Sequence, residues 1–320
     1  MLLPIVRRTV RDRGLLEAGD HVLVACSGGP DSTVLVHVLH RLRKELGVTL
    51  SVASIDHGLR PESADEVRQV EALAGSLGLP FVSAQVDVQP DGGSLQARAR
   101  DLRYDALHDL AVRRSARCIA VGHTRSDQAE TVLARVLRGA GVRGLAGIEP
   151  KRKDGIVRPL IDCERTTVRA YAVEHQLPFV DDPSNHQPAF ERIRIRHEVI
   201  PVLEAEDPRV VEHLAALADE ARELQAFVAG QAPPLSLDDS GPIDVETLLG
   251  FEPPVRLHWI REWIAARTGV TPNRAHLSQI GQLLRGGGEV LLGSGWAVFR
   301  EERGLKLEYR AHRRTRSHRP

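Results

Sequence analysis

HVLVACSGGPDS, residues 21–32, is the stretch on which the reading of this chain turns. Val22, Leu23 and Val24 form a short apolar, β-branched run of the kind that makes a buried strand. The run breaks at Ser27-Gly28-Gly29-Pro30-Asp31-Ser32, and helical periodicity follows over 33–46. Two adjacent glycines let the backbone take positive φ and approach a ligand closely. Pro30 stiffens the turn. A helix starting near Ser32 presents free N–H groups and the positive end of its dipole to an anion. Ser27 and Ser32 add hydroxyl donors, so the segment reads as a phosphate cradle. It is not the GxxxxGK[ST] loop, because no lysine closes it. Asp31 would repel bound phosphates unless a cation intervened, and magnesium, which takes oxygen ligands, resolves that conflict. The competing reading of Asp31 is a cap for the following helix.

Working outward, 50–56, 80–86 and 117–123 repeat the pattern of a short apolar strand, and helical periods follow over 64–77, 95–112 and 129–137. Such alternation predicts an α/β, Rossmann-like parallel sheet with helices on both faces, ligands binding beyond the carboxyl ends of the strands. IVRPLI (156–161) is expected as a further strand and 165–175 as a helix. Residues 181–190 read as a turn-rich loop, and 196–228 as helical with breaks at Pro201 and Pro208. Residues 231–242 read as a linker. Helices over 256–268 and 274–284 and a closing hairpin then make a small α+β domain, and the last ten residues form a basic, disordered tail. The expected division is a catalytic domain over 1–205, then a helical linker and small C-terminal domain over 206–320.

Hydrophobic residues make up 42% and charged residues 27% of 320, as in ordinary globular proteins. No apolar run is long enough to cross a membrane, and the N-terminus does not read as a secretory signal. Cys26, Cys118 and Cys163 lie far apart with no CxxC, which argues against a disulfide frame or zinc site and for a cytoplasmic location. Net charge is zero but unevenly spread: residues 113–169 carry +7, 198–252 carry −11 and 253–320 carry +8. A positive face on a neutral molecule still attracts nucleic acid, since phosphate attraction acts within a Debye length of about 8 Å.

Further motifs fall at the predicted edge of the sheet. They are Ile55-Asp56-His57-Gly58-Leu59-Arg60, Ala99-Arg100-Asp101-Leu102-Arg103-Tyr104, and Gly122-His123 leading to Ser126-Asp127-Gln128-Ala129-Glu130-Thr131. Leu137-Arg138-Gly139, Arg158-Pro159-Leu160, Asp182-Pro183-Ser184-Asn185 and Arg192-Ile193-Arg194-Ile195-Arg196 follow. The SGGxDS hexapeptide resembles the signature of the PP-loop ATP pyrophosphatases. The ordered set, from about residue 20 to 205, resembles the tRNA(Ile)-lysidine synthetases. Ser126 stands where that family carries an aspartate and Ile193 where it carries an asparagine, so only Asp127 supplies the charge there.

The resemblance implies ATP and Mg2+ as cofactors, and a cytidine at the first anticodon position of a tRNA(Ile) with CAU anticodon as substrate. The base is adenylated, and free lysine then displaces AMP. Ser27, Gly28, Gly29, Pro30, Asp31, Ser32, Asp56 and His57 would hold the nucleotide, Asp31 and Asp127 the metal, and Asp31, Arg100, Asp127 and Glu130 the chemistry. Asp127 and Glu130, three apart, share a face at a helix start; a capping aspartate is the plainer account of the first. Arg103, Arg192, Arg194 and Arg196 are candidate RNA contacts. The last three, if extended, would line one face; pairing with the acidic block from Glu198 to Glu223 is the alternative. Trp259 and Trp263 read as core. His123 reads equally as structural or functional. Competing functions are a PP-loop tRNA thiolase, which needs a reactive cysteine or a bound cluster, and a non-catalytic ATP-binding sensor. Oligomeric state is left open, a homodimer included.

Overall fold

The computed structural model describes residues 2–56, 63–87, 95–180, 191–234, 242–302 and 304–310. Helix α1 (Leu2–Asp12) opens the chain. Strands β1 (His21–Ala25), β2 (Thr49–Asp56), β3 (Phe81–Gln85), β4 (Cys118–Ala120) and β5 (Ile156–Val157) form one sheet in the order β3-β2-β1-β4-β5. Every neighbouring pair is parallel, for example Val22 with Leu50 on one side and with Cys118 on the other. Helices α2 (Pro30–Leu46), α3 (Ser63–Ser76), α4 (Leu95–Arg113) and α5 (Arg125–Leu137) connect or follow the strands. A one-turn α6 (Val142–Leu145) and α7 (Arg165–Glu174) come next. Then α8 (Glu191–Arg194) runs through a π-helical turn (Ile195–Val199) into α9 (Ile200–Glu206), followed by α10 (Val210–Gln231).

The parallel sheet follows from strands buried on both faces. Val22, Leu23 and Val24 have no exposure, and neither do Val52 and Ala53. Such strands read as continuous apolar runs rather than as alternation. The chain steps outward from β1 to β2 and β3, then returns to place β4 on the other side of β1. That reversal opens a crevice at the carboxyl ends of β1 and β4, where α/β sheets bind ligands.

The chain forms two compact units, Met1–Ala140 with Gly144–Asp219, and Gly141–Arg143 with Glu220–Pro320. In the second, α11 (Val245–Leu249), α12 (Pro253–Thr268) and α13 (Arg274–Leu283) pack on an antiparallel sheet of order β6-β9-β8-β7. Its strands are β6 (Ile243–Asp244), β7 (Glu289–Gly293), β8 (Trp296–Glu301) and β9 (Gly304–Tyr309). The expected closing hairpin is thus a three-strand meander paired with β6. Trp263 lies in this core at 2% exposure, and Trp259 is half-buried with its indole N–H donated to the Pro233 carbonyl at 3.1 Å.

Three local expectations are corrected. Residues 156–161 give only two strand residues, because Arg158–Ile161 and Leu160–Cys163 backbone bonds fold the rest into turns. Pro201 does not break the helix: it sits in the first turn of α9, where its missing N–H is harmless. The break falls at 207–209. The arginine segment 192–196 is helical, not extended. Helix α1, not among the expected elements, follows from the spacing of Leu2, Val6 and Val10, which all bury.

Candidate functional site

The cradle forms as its sequence requires at one glycine and not at the other. Gly28 takes φ +81°, whereas Gly29 is extended at φ −73° and ψ 161° and precedes α2 without any side-chain cap. A Cβ on Gly29 would meet only the Ser27 hydroxyl, at 3.7 Å, so the face toward a ligand is open. Ser32 ties the loop together: its hydroxyl accepts from the Ser27 N–H at 3.1 Å and donates to the Gly29 carbonyl at 3.0 Å. Asp31 therefore does not cap α2 from Gly29's position; it lies inside the first turn. Gly122, at the end of β4, is forced by proximity, since a Cβ there would stand 3.1 Å from both the Asp31 carbonyl carbon and the Ser32 nitrogen. The β4 end thus presses against the start of α2 and brings Asp31 toward α5.

Helix α5 opens with a capping box. The Asp127 carboxylate accepts through Oδ2 from the Thr124 backbone N–H at 2.7 Å and from its hydroxyl at 2.8 Å. Oδ1 of the same group meets Arg165 at 2.7 Å and Arg192 at 2.8 Å. One carboxylate therefore serves both as cap and as charge partner. Glu130, 1% exposed, receives Arg165 and Arg196 on Oε1 at 2.7 and 2.8 Å, and Arg192 and Arg196 on Oε2 at 2.9 and 3.0 Å. Arg192 and Arg196 reach this cluster together because, four apart on a helical path, they share a face. The pairing of these two is with α5 and not with the acidic block from Glu198 onward. Arg194 is exposed.

The electrostatics separate the three acids. Burial alone would raise Asp127, but Arg165 and Arg192 hold it well below the ordinary carboxylate range. Burial likewise opposes ionisation of Glu130, and Arg196 and Arg165 outweigh it. Asp31 goes the other way, pushed up to about 6 by burial and by the neighbouring Asp127 charge, against a weaker pull from Arg165. Arg165 Nε lies 3.9 Å from Asp31 Oδ2, and Oδ1 is buried with no hydrogen-bond partner. His123, behind this cluster, accepts from Arg158 Nε at 3.2 Å on Nδ1, and burial lowers it to about 3, so it is a neutral acceptor.

Arg165 went unnoticed from the sequence. Nothing local marks it, since its partners lie 35 and 38 residues away. Its own backbone N–H is donated to the Ser126 hydroxyl at 3.2 Å, so the serine that departs from the family pattern orients α7. Asp56 ends β2, while His57 and the segment 181–190 lie outside the described residues. Arg100, expected with Asp31, Asp127 and Glu130, and Arg103, expected as an RNA contact, lie on α4 around Tyr104, and among the described residues no hydrogen bond or ion pair joins either to Asp127 or Glu130.

Residues 6–203 match the PP-loop domain family and residues 243–305 the TilS substrate binding domain. The tRNA(Ile)-lysidine synthase of Salinispora arenicola is 39% identical over 313 residues, covering 92% of this chain and 93% of that protein. The chain belongs to the tRNA(Ile)-lysidine synthase family. The Solibacter usitatus family member is 43% identical over 226 residues, 70% of this chain, and the chain spans only about half of that longer protein. A U34-tRNA thiolase from Methanococcus maripaludis with a [4Fe-4S] cluster superposes with a TM-score of 0.58 over 69% of this chain and 79% of that one. At 18% identity that likeness shows the fold alone. In this family member Cys26, Cys118 and Cys163 are all buried, and burial raises their thiols, the last two to about 12.

Proposed function

We propose that the chain uses ATP to attach lysine to position 2 of the cytidine at the first anticodon position of tRNA(Ile), giving lysidine, AMP and pyrophosphate. The observation that carries this reading is an uncapped helix start and open glycine face beside Asp31, within a family-wide match over residues 6–203. In the first step the base oxygen attacks the α-phosphorus of ATP and pyrophosphate leaves. In the second the lysine side-chain amine attacks carbon 2 and AMP leaves, a proton passing from the amine.

The Ser27–Ser32 loop would bind the polyphosphate through backbone N–H groups and hydroxyls, donors already fixed before the charge develops. Asp31 fits a metal ion: it is a half-buried carboxylate whose Oδ1 is buried without a hydrogen-bond partner, as an oxygen-seeking cation requires. Mg2+ held by Asp31 would offset charge on the phosphates. Asp127 fits less well, because both of its oxygens are engaged by Thr124 and by arginines. For the same reason lysine could reach Asp127 or Glu130 only by displacing a guanidinium. Arg100 would face the activated base or its phosphate, and Arg103 and Arg194 the RNA backbone. The second unit, matched by a substrate-binding domain, would contact the tRNA in the cytoplasm, and the reading requires no second subunit.

The thiolase alternative is weakened by three buried, protonated cysteines. Incubating the purified protein with ATP, labelled lysine and tRNA(Ile) bearing a CAU anticodon tests the proposal. Label should enter the tRNA only with ATP present, with pyrophosphate released in step. Pyrophosphate release without lysine incorporation would overturn it.

A further inference from the structure

Tyr104, on α4, is 7% exposed and is surrounded by arginines. The guanidinium carbons of Arg100, Arg103 and Arg152 stand 5.1, 5.5 and 5.3 Å from its ring centroid. Arg100 donates to the phenol oxygen at 3.4 Å, and Arg158 is near enough to act electrostatically on the same phenol. Arg158 is 2% exposed, and its remaining partners are the Glu149 carbonyl and the neutral ring of His123. Arg152 is matched by Asp154 at 2.6 Å. Among the described residues no carboxylate pairs with Arg100, Arg103 or Arg158.

Three guanidiniums gathered on one side chain, one of them buried, repel each other, and each loses hydration. Attraction to the tyrosine face offsets only part of that cost. An anion between them would offset the rest, and the planar fork of arginine matches phosphate oxygens two at a time. The polyphosphate already has its own cradle on the α2 side of β4, so this second cationic centre, reached through α4 and the residues after β5, needs a different phosphate. We infer that Arg100, Arg103 and Arg158, arranged by Tyr104, form a binding site for a phosphodiester of the RNA substrate. Tyr104 is the positioning residue: its ring fixes the spacing of the guanidiniums and its oxygen accepts from Arg100. The inference rests on the reading of an RNA substrate above.

The test measures binding of a tRNA(Ile) transcript to the full chain across about 50 to 300 mM salt, alongside ATP affinity, for Arg103→Gln, Tyr104→Leu and Tyr104→Phe. Arg103→Gln should weaken tRNA binding about tenfold and lower the slope of log affinity against log salt by about one. Tyr104→Leu should do the same, Tyr104→Phe should recover most of the loss, and ATP affinity should stay within about twofold throughout. Loss of ATP affinity with unchanged tRNA binding would assign the site to a nucleotide phosphate and overturn the inference. An unchanged salt slope in Arg103→Gln, a half-buried position that does not depend on Tyr104→Leu folding, would leave the cluster merely structural. Binding is read without lysine transfer, so the two proposals fail separately. A chain that binds tRNA through these arginines and transfers no lysine refutes the activity alone. Normal transfer with an unchanged slope refutes this site alone.

Discussion

Two arginine clusters flank the carboxyl ends of β4 and β5, and they are built in opposite ways. Around α5, Arg165, Arg192 and Arg196 enclose Asp127 and Glu130, with every carboxylate oxygen engaged. Around Tyr104, Arg100, Arg103 and Arg158 meet, among the described residues, only neutral acceptors and an aromatic face. The first cluster carries its own anions and joins α5 to α7, α8 and the π-helical turn. The second has none among the described residues, which is the arrangement expected where the anion arrives with a ligand. A count of arginines cannot distinguish these cases; the placement of carboxylates can.

Glu130→Gln attacks the balanced cluster and should have the largest effect. It leaves three guanidiniums around one remaining carboxylate, and breaking a buried ion pair from one side costs about 3–5 kcal/mol. Urea denaturation should register that loss; a variant as stable as the parent would show that the cluster is not structural. Asp31→Ala should behave in the opposite sense. Removing a carboxylate whose pKa is raised by burial and by Asp127, and whose Oδ1 has no partner, should leave stability unchanged or slightly raised, while tRNA-dependent pyrophosphate release falls about a hundredfold or more, roughly 2.7 kcal/mol. Full turnover in that variant would take Asp31 out of the mechanism.

Acidity sharpens the same contrast. Asp127 and Glu130 have depressed folded-state values, so their stabilisation is present above the ordinary carboxylate range near pH 4 and is lost as pH falls through and below it. Asp31 is raised to about 6, so its contribution to stability is fully present below about pH 4, where the group is protonated folded and unfolded alike, and is lost progressively as pH rises from about 4 through 6. Nucleotide binding that depends on an ionised Asp31 should weaken below about pH 6, and Asp31→Asn should abolish that acid limb. A limb of the same midpoint in Asp31→Asn would assign it to another group. The smallest effect is expected at Arg194, exposed on the side of the helix away from Arg192 and Arg196. Arg194→Ala should weaken tRNA binding by about threefold and reduce its salt slope, with stability unchanged. An unaltered slope would remove Arg194 from the RNA contacts.

The sequence by itself determined the parallel sheet, the cradle at Ser27–Ser32 and the position of Asp31, because these depend on short-range patterns: buried runs, paired glycines, and a helix start. It also presented Asp127 as either a cap or a charged site residue, and the structure shows it acting as both, through different oxygens. Only the tertiary structure decided which arginines meet which carboxylates. Arg165 and Arg192 reach Asp127 across 38 and 65 residues, distances over which no local propensity reports. The reading of 192–196 as extended failed for a related reason: alternating Arg and Ile fits a strand locally, but burying Ile195 and pairing two arginines with Glu130 favours the helix. Charge pairing between segments distant in the chain is set by packing, so it becomes visible only when the sheet has brought those segments together.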